Sequence, residues 1–342
     1  MPRRCNPLWT GVTGGPIQSS PAVVNGRVFV GSSDRNVYAF DAAGAKGCSG
    51  SPRVCSPLWK VTTSGAVTSS PAVIGGVVYV ATNGGFLLAI STDGRVLWRG
   101  SVTLASDSSP AVAGETVYVG SNDGRLYAFD ANGVTGCFGT PRQCNPRWTA
   151  PTGDSITGAP LVFDGRVYVG TRKGIWTYDA AGQLGCGGLP KQCYPIWSAA
   201  TVSGVVSSPA IAGSTVLIAS QDGTLYAYDH AGTKGCGGVP VQCSPVWRGY
   251  MPQPVSSSPA VANGVVFIGA GNGYLYAFSA AGATGCGGSP RTCTPLLGER
   301  ANAWVKTNCP TGNASIYSSP AIAGRRVFIG SGDCELHAFT LP

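Results

Sequence analysis

Cysteine carries the most regular chemistry in this 342-residue chain, which has 13 Cys and only two His. Ten of the cysteines fall into a motif G-C-x-G-x-P-x-x-C-x-P, as Cys48/Cys55, Cys137/Cys144, Cys186/Cys193, Cys236/Cys243 and Cys286/Cys293. The partners are seven positions apart in every pair. A zinc site would want Cys at two- to four-residue spacing, usually with His; His230 and His337 belong to no repeated pattern. A redox pair would want Cys-x-x-Cys. A disulfide needs only that the loop ends meet, and Gly and Pro bend the chain between them. Five local staples are therefore expected, each pinning an inserted loop that has little core of its own. With them an oxidising compartment is expected, extracellular or in the cell envelope. On the chain-entropy argument each closed loop contributes roughly 2.5 kcal/mol. A sixth bridge, Cys309–Cys334, is expected because Cys334 takes the Gly place of a turn in GSGDCELHAF and Cys309 lies in the connection leading to it. A side chain in a left-handed turn costs about 1 kcal/mol, which asks for a reason. Cys5 then stands alone.

Other reactive constellations are missing. There is no G-x-S-x-G elbow, and two His cannot serve as repeated bases. No carboxylate pair has a recognisable spacing. Asp34, Asp123, Asp222 and Asp333 read as turn residues, since no D-x-D-x-D-G calcium run occurs. No catalytic residue, metal ligand or cofactor is predicted. No basic stripe interleaved with aromatics points to nucleic acid, and no apolar run approaches the ~18 residues of a membrane span. The formal charge of +8 fits either a solvated secreted surface or an acidic partner. Arg53, Arg142, Lys191 and Arg291 precede the second Cys of their motifs. They make either a cationic rim for an acidic cell-surface polymer or a merely solvated one.

The elements that must carry these residues are repeats. The proline of S-S-P-A recurs at Pro21, Pro71, Pro110, Pro160, Pro209, Pro259 and Pro320. A Trp stands 12 residues before six of these prolines, at Trp9, Trp59, Trp98, Trp148, Trp197 and Trp247 in register with the next repeat. Within a unit, PAVAGETVYVG reads as strand, Gly turn, strand; N-D-G is a tight hairpin, L-Y-A-F-D a third strand and the Trp segment a fourth. Four antiparallel strands per 40–50 residues is the period of a propeller blade. The small residues of S-S-P-A suit an innermost strand, whose free edge tolerates Pro. The second unit, AISTDGRVLW, lacks the cysteine loop and is the plain repeat.

The expected fold is all-β: a seven-bladed propeller in one domain over 1–342, closed by the N-terminal strand, with five disulfide-stapled loops on one face. The units run about 17–63, 67–102, 106–152, 156–201, 205–251, 255–306, and 315–342 completed by 7–12. An eight-bladed ring is the alternative if a blade lies upstream. The first residues run straight into repeat sequence, and PRRCNPLW reads as the second half of a cysteine motif, so a trimmed or truncated start is expected. Asn313-Ala314-Ser315 fits a glycosylation sequon.

The segments A-x-S-x-D-G-x-x-x-W in the second unit and S-x-D-G-x-L-Y-A-x-D in the third and fifth resemble the PQQ-type propeller repeat. That family includes quinoprotein dehydrogenases and the lipoprotein propeller of the outer-membrane assembly machine. The resemblance implies that each Trp docks against a neighbouring blade. It also implies two readings of function. One is a secreted or surface propeller acting as a non-catalytic binding or scaffold module. The other is a PQQ-dependent dehydrogenase holding quinone and calcium, with a carbohydrate-active propeller as a third possibility; the dehydrogenases typically have eight blades and an adjacent Cys pair, which this chain lacks.

Residues suited to a ligand lie where the repeat departs from itself. In the fourth unit S-S-P-A-V becomes Gly158 to Val162, and the acidic turn and Tyr become Arg172-Lys173-Gly174-Ile175-Trp176. With Gln18, Asp107 and Asp154, the residues Arg172, Lys173 and Trp176 form the expected ligand site for a protein or a small polar or anionic ligand. Drift is the plainer explanation, and Trp176 has a core position open to it as a strand residue. A monomer is expected.

Overall fold

The computed structural model describes residues 7–296, 315–330 and 336–340. Cys5, Cys309 and Cys334 lie outside these, so the expected Cys309–Cys334 bridge does too, as do Asp333 and Asn313. The chain divides into two compact units, Met1–Thr149 and Ala150–Pro342. The strand Trp148–Pro151 runs across the division.

Every repeat builds an antiparallel sheet in the expected order. In the first, Ala22–Val24, Arg27–Gly31, Asn36–Asp41 and Trp59–Thr62 follow one another. The middle two strands are apolar on both faces and buried, with Phe29, Val37 and Ala39 at zero exposure. The S-S-P motif has a definite use for each serine. Its first hydroxyl bridges the first and second strands of one repeat: Ser69 Oγ donates to Ala81 O and accepts from Ala81 N, both at 2.9 Å. Its second hydroxyl links neighbours: Ser20 N donates to Ser70 Oγ and Ser70 N to Ser109 Oγ, and Ser208 N to Ser258 Oγ in the other unit. The linking bonds satisfy backbone N–H groups just ahead of the short first strands, where no sheet partner is available.

The Trp residues dock against the following repeat. Trp98 is 2% exposed, lies 6.1 Å from the Phe129 ring and donates its indole N–H to Ala131 O at 3.1 Å. It packs on Gly133, whose φ is +64° and where an added Cβ would stand 2.2 Å from the indole. Trp197 and Gly232 repeat this contact. Only Gly satisfies both the left-handed turn and the close approach.

Three expectations are corrected. First, the described residues form eight sheets, so the propeller has eight blades rather than seven. The N-terminal strand Thr10–Gly11 does not extend the sheet of Leu336–Thr340; it forms an eighth sheet of its own with Val54–Cys55 and Cys48–Ser49.

Second, the five cysteine loops close as the disulfides Cys48–Cys55, Cys137–Cys144, Cys186–Cys193, Cys236–Cys243 and Cys286–Cys293, but they do not simply project from one face. Each folds into a short hairpin whose second arm lies beside the fourth strand of the preceding repeat. The pairing is parallel, as in Thr10↔Val54, Arg99↔Gln143, Ser198↔Gln242 and Arg248↔Thr292. An outer strand otherwise ends in a row of unpaired donors and acceptors. The hairpin satisfies them, and blades so clasped grow from four strands to six.

Third, the loops are not without a core. The second cysteine of every pair is buried: Cys55, Cys144, Cys193, Cys243 and Cys293 are 0–9% exposed, while the first is half-buried. Cys144 packs in one cluster with Trp98 and Phe129, Cys243 with Trp197 and Tyr228, and Cys293 with Trp247 and Phe278. The parallel pairing is the reason. It sets Cys55, Cys144 and Cys293 opposite Gly11, Gly100 and Gly249, glycines whose missing side chains leave room beside the next blade's Phe ring. These sulfurs are therefore part of the apolar interior between neighbouring blades, and none of the five is a surface group open to a ligand.

Candidate functional site

The turn carboxylates are consumed locally. Asp123 accepts from the Tyr127 hydroxyl at 2.5 Å and from Arg125 N at 2.9 Å, and Asp222 accepts from Tyr226 at 2.7 Å and Thr224 N at 2.8 Å. Asp34 does the same with Tyr38. Burial raises the Asp34 pKa, but the Tyr38, Asn36 and Ser32 donors outweigh it and hold the carboxyl below its usual range. Burial, helped by the Asp123 bond, pushes Tyr127 up to about 12. Among the described residues no group of three or more His, Cys, Asp or Glu could hold a metal. A calcium ion, as a bound quinone would bring with it, meets no cluster of three such groups among these residues.

The rim arginines are also occupied. Arg53, Arg142 and Arg291 reach back nine residues and donate to the turn carbonyls of Gly44, Gly133 and Gly282 at 2.9, 2.7 and 3.0 Å. Each holds its hairpin against its own repeat through one guanidinium nitrogen, while the residue itself is exposed.

The fourth repeat differs. Its turn is one residue shorter, with Thr171 opposite Gly174. Gly174 has φ +139°, and a Cβ there would overlap the Ala199 carbonyl. Trp176 takes the place that Tyr38, Tyr127 and Tyr226 hold elsewhere, with no turn Asp to receive it. It is half-buried rather than core. With Lys173 it lines a cleft of about 360 Å³ completed by Pro195, Ser198, Pro240 and Gln242. Gln242 Nε2 donates to Ser198 Oγ at 2.9 Å, which fixes the cleft wall. Lys173 is exposed, and its Nζ donates to Gly153 O at 3.0 Å. This arrangement offers a flat indole, a proline wall and a cation at the mouth, chemistry suited to an extended chain or a ring stacked on Trp176.

The other expected site residues are placed as follows. Arg172 is exposed on the same turn and approaches Gly204, away from the cleft lining. Asp154 is half-buried and caps its own loop through Ser155 N at 2.7 Å. Asp107, in the other unit, accepts from the Thr68 hydroxyl at 2.8 Å. Gln18 is exposed in that unit. The cleft thus unites Lys173 and Trp176, and Arg172 and Asp154 do not line it. Pro195, Ser198, Pro240 and Gln242 escape a reading of single repeats, because Pro240 and Gln242 reach it from the next repeat's cysteine hairpin. The recurring Gln before the second Cys, at Gln143, Gln192 and Gln242, is the one signal for them. A related cleft of about 280 Å³ in the other unit is lined by Phe86, Leu88, Arg99 and Pro141, with the Arg99 guanidinium 5.5 Å from the Phe86 ring.

A family model described as outer membrane protein assembly factor BamB matches residues 55–233. No curated protein matches the chain. Among solved structures, BamB from Moraxella catarrhalis aligns with a TM-score of 0.66 and 14% identity, over 96% of this chain and 84% of that one. A computationally designed protein, Ika8, aligns with a TM-score of 0.65 and 13% identity, over 97% of this chain and 86% of that one. At such identities the likeness is one of fold.

Proposed function

The chain belongs to the family of the outer membrane protein assembly factor BamB, and on that premise we propose that it is a non-catalytic propeller that holds a protein partner. The observation that carries this reading is the Trp176–Lys173 cleft. An indole stands there, half-buried, where other repeats hold a Tyr bonded to its own turn. Beside the cleft, Val239 is fully exposed at a hairpin tip. Aromatic anchors are enriched at the hot spots of protein-binding surfaces. The turn carboxylates Asp34, Asp123 and Asp222 are spent on their own turns, which supports binding over catalysis. Five disulfides suit an oxidising setting, and we place the protein in the extracellular space or the cell envelope. No helix among the described residues is long and apolar enough to cross a membrane.

The test is a display screen of random peptides and a glycan array, run on the full chain, on Trp176→Ala and on Arg172→Ala/Lys173→Ala. Peptides enriched on the wild type should bind Trp176→Ala at least tenfold more weakly, a loss of about 1.4 kcal/mol. Peptide binding that ignores Trp176→Ala would remove the cleft from the account. Selection of glycans alone would favour a carbohydrate ligand.

A further inference from the structure

The plain second repeat leaves a gap. Because it has no cysteine hairpin, the fourth strand of the first repeat, Trp59–Thr62, stays the outer edge of a four-stranded sheet. The equivalent strands in repeats two to five are each covered by a hairpin arm. The residue after the Trp donates its N–H outward to that arm: Thr10 to Arg53 O, Arg99 to Arg142 O and Ser198 to Val241 O, at 3.0 to 3.1 Å. In the first repeat that residue is Lys60, and it is exposed. The gap also opens the Trp. Trp98, Trp148, Trp197 and Trp247 are 1–2% exposed, whereas Trp59 is half-buried, as is Trp9 at the start of the described chain. Trp59 lines a pocket of about 490 Å³ with Arg27, Lys46, Asp41 and Asp93.

The charge at the gap is specific. In clasped repeats an arginine of the hairpin caps the turn carbonyl of Gly44, Gly133 or Gly282. The matching carbonyl in the second repeat is that of Gly94, which no described side chain caps. Beside it the repeat holds Asp93, where the others have Ala43, Asn132, Ala181, Ala231 and Ala281. Asp93 has a side chain 70% exposed and meets Arg27 through one oxygen at 2.9 Å. An occupant of this place needs a backbone edge and a cation.

We propose that the Trp59–Thr62 edge is a docking site for an extended basic segment of a partner protein. The segment adds as a parallel strand against Lys60, covers Trp59 and sets an arginine or lysine on the Gly94 carbonyl and Asp93. This is strand addition with side-chain selection, and the clasps within the chain are its template. It is independent of the Trp176 cleft, which belongs to the other unit.

The probe is the chain's own hairpin supplied as a separate peptide: residues 136–146, GCFGTPRQCNP, closed by its disulfide. It should bind the full-length wild type saturably and change the Trp fluorescence. Lys60→Pro, which removes the outward N–H, should weaken binding at least tenfold. Asp93→Asn, a milder change, should weaken it at least threefold, and so should an Ala in place of the peptide arginine. Circular dichroism of both variants checks that they fold. No saturable binding to the wild type, or wild-type affinity in either Lys60→Pro or Asp93→Asn, would overturn the proposal. Self-association of the wild type that Lys60→Pro abolishes would assign the edge to a second copy and overturn it as well.

Discussion

A single carboxylate starts four of the five clasps; at the fifth, Ser279 takes the place and its hydroxyl accepts from Ala283 N at 3.3 Å. Asp130 accepts from the consecutive backbone donors Val134 N and Thr135 N at 2.9 and 2.6 Å and is bridged by Arg147 at 2.9 Å. Asp41, Asp179 and Asp229 make the same pair of bonds at the base of their loops. Ser91 stands there in the second repeat, which has no loop, and Ser279 in the sixth, which has one. Burial raises the Asp130 pKa, but the Thr135 and Val134 amides and Arg147 outweigh it and hold the group below the usual aspartate range. Asp229 is lowered in the same way. A depressed folded pKa gives stability that is complete above the unfolded value of about 3.9 and fades as pH falls through the folded value. Melting temperature should therefore be flat from neutral pH down to about 4 and drop below it. In Asp130→Asn the neutral melt should be lower and the acid drop shallower, measured by circular dichroism across about pH 2–7, which brackets the aspartate range. An equal acid drop in both proteins would show that the carboxylate plays no such part.

The hairpin is the element that the sequence revealed only in part. The pairing of each Cys with its neighbour seven residues on was legible, because Gly and Pro leave the loop little else to do. The destination of the loop was not. Its contact with the neighbouring repeat is one to three residue pairs long and lies more than forty positions away, as with Arg99 and Gln143. So short an arm shows no alternation of apolar and polar residues to betray a strand. For the same reason the burial of Cys144 and its counterparts was hidden: the side chains that cover it belong to Trp98 and Phe129, outside its loop. The blade count suffered likewise. Pro7 to Val12 read as a strand of the last repeat, whereas its partner is the first hairpin. In the candidate site Trp176 and Lys173 stood out as departures from the repeat, but Pro240 and Gln242 of the cleft wall come from the next hairpin and could not be seen within one unit. Opening one clasp should be costly. Cys137→Ser/Cys144→Ser should lose about 2.5 kcal/mol on the chain-entropy argument, read from urea unfolding of the full chain by Trp fluorescence. A loss below about 0.5 kcal/mol, within the usual range of a surface substitution, would mean that the strand pairing holds the hairpin without its disulfide.

Among the described residues of each unit, neighbouring blades are fastened in up to three ways: by Ser-to-backbone bonds ahead of the first strands, by Trp against Gly in the middle, and by disulfide hairpins on the outer strands. Among the described fourth strands the outer fastening is missing once, at Trp59–Thr62. Two surfaces follow from this plan, the cleft of Trp176 and Lys173 and the open edge at Lys60. Both depend on one central claim, that the cysteine hairpins are strands of the preceding blade. Amide hydrogen exchange on the intact, oxidised chain tests it most directly. The amides of Arg99 and Ser198, which donate to Arg142 O and Val241 O at 3.1 Å, should be protected, and Lys60 at the same place in its repeat should exchange far faster. Arg99 and Ser198 exchanging as quickly as Lys60 would contradict the account.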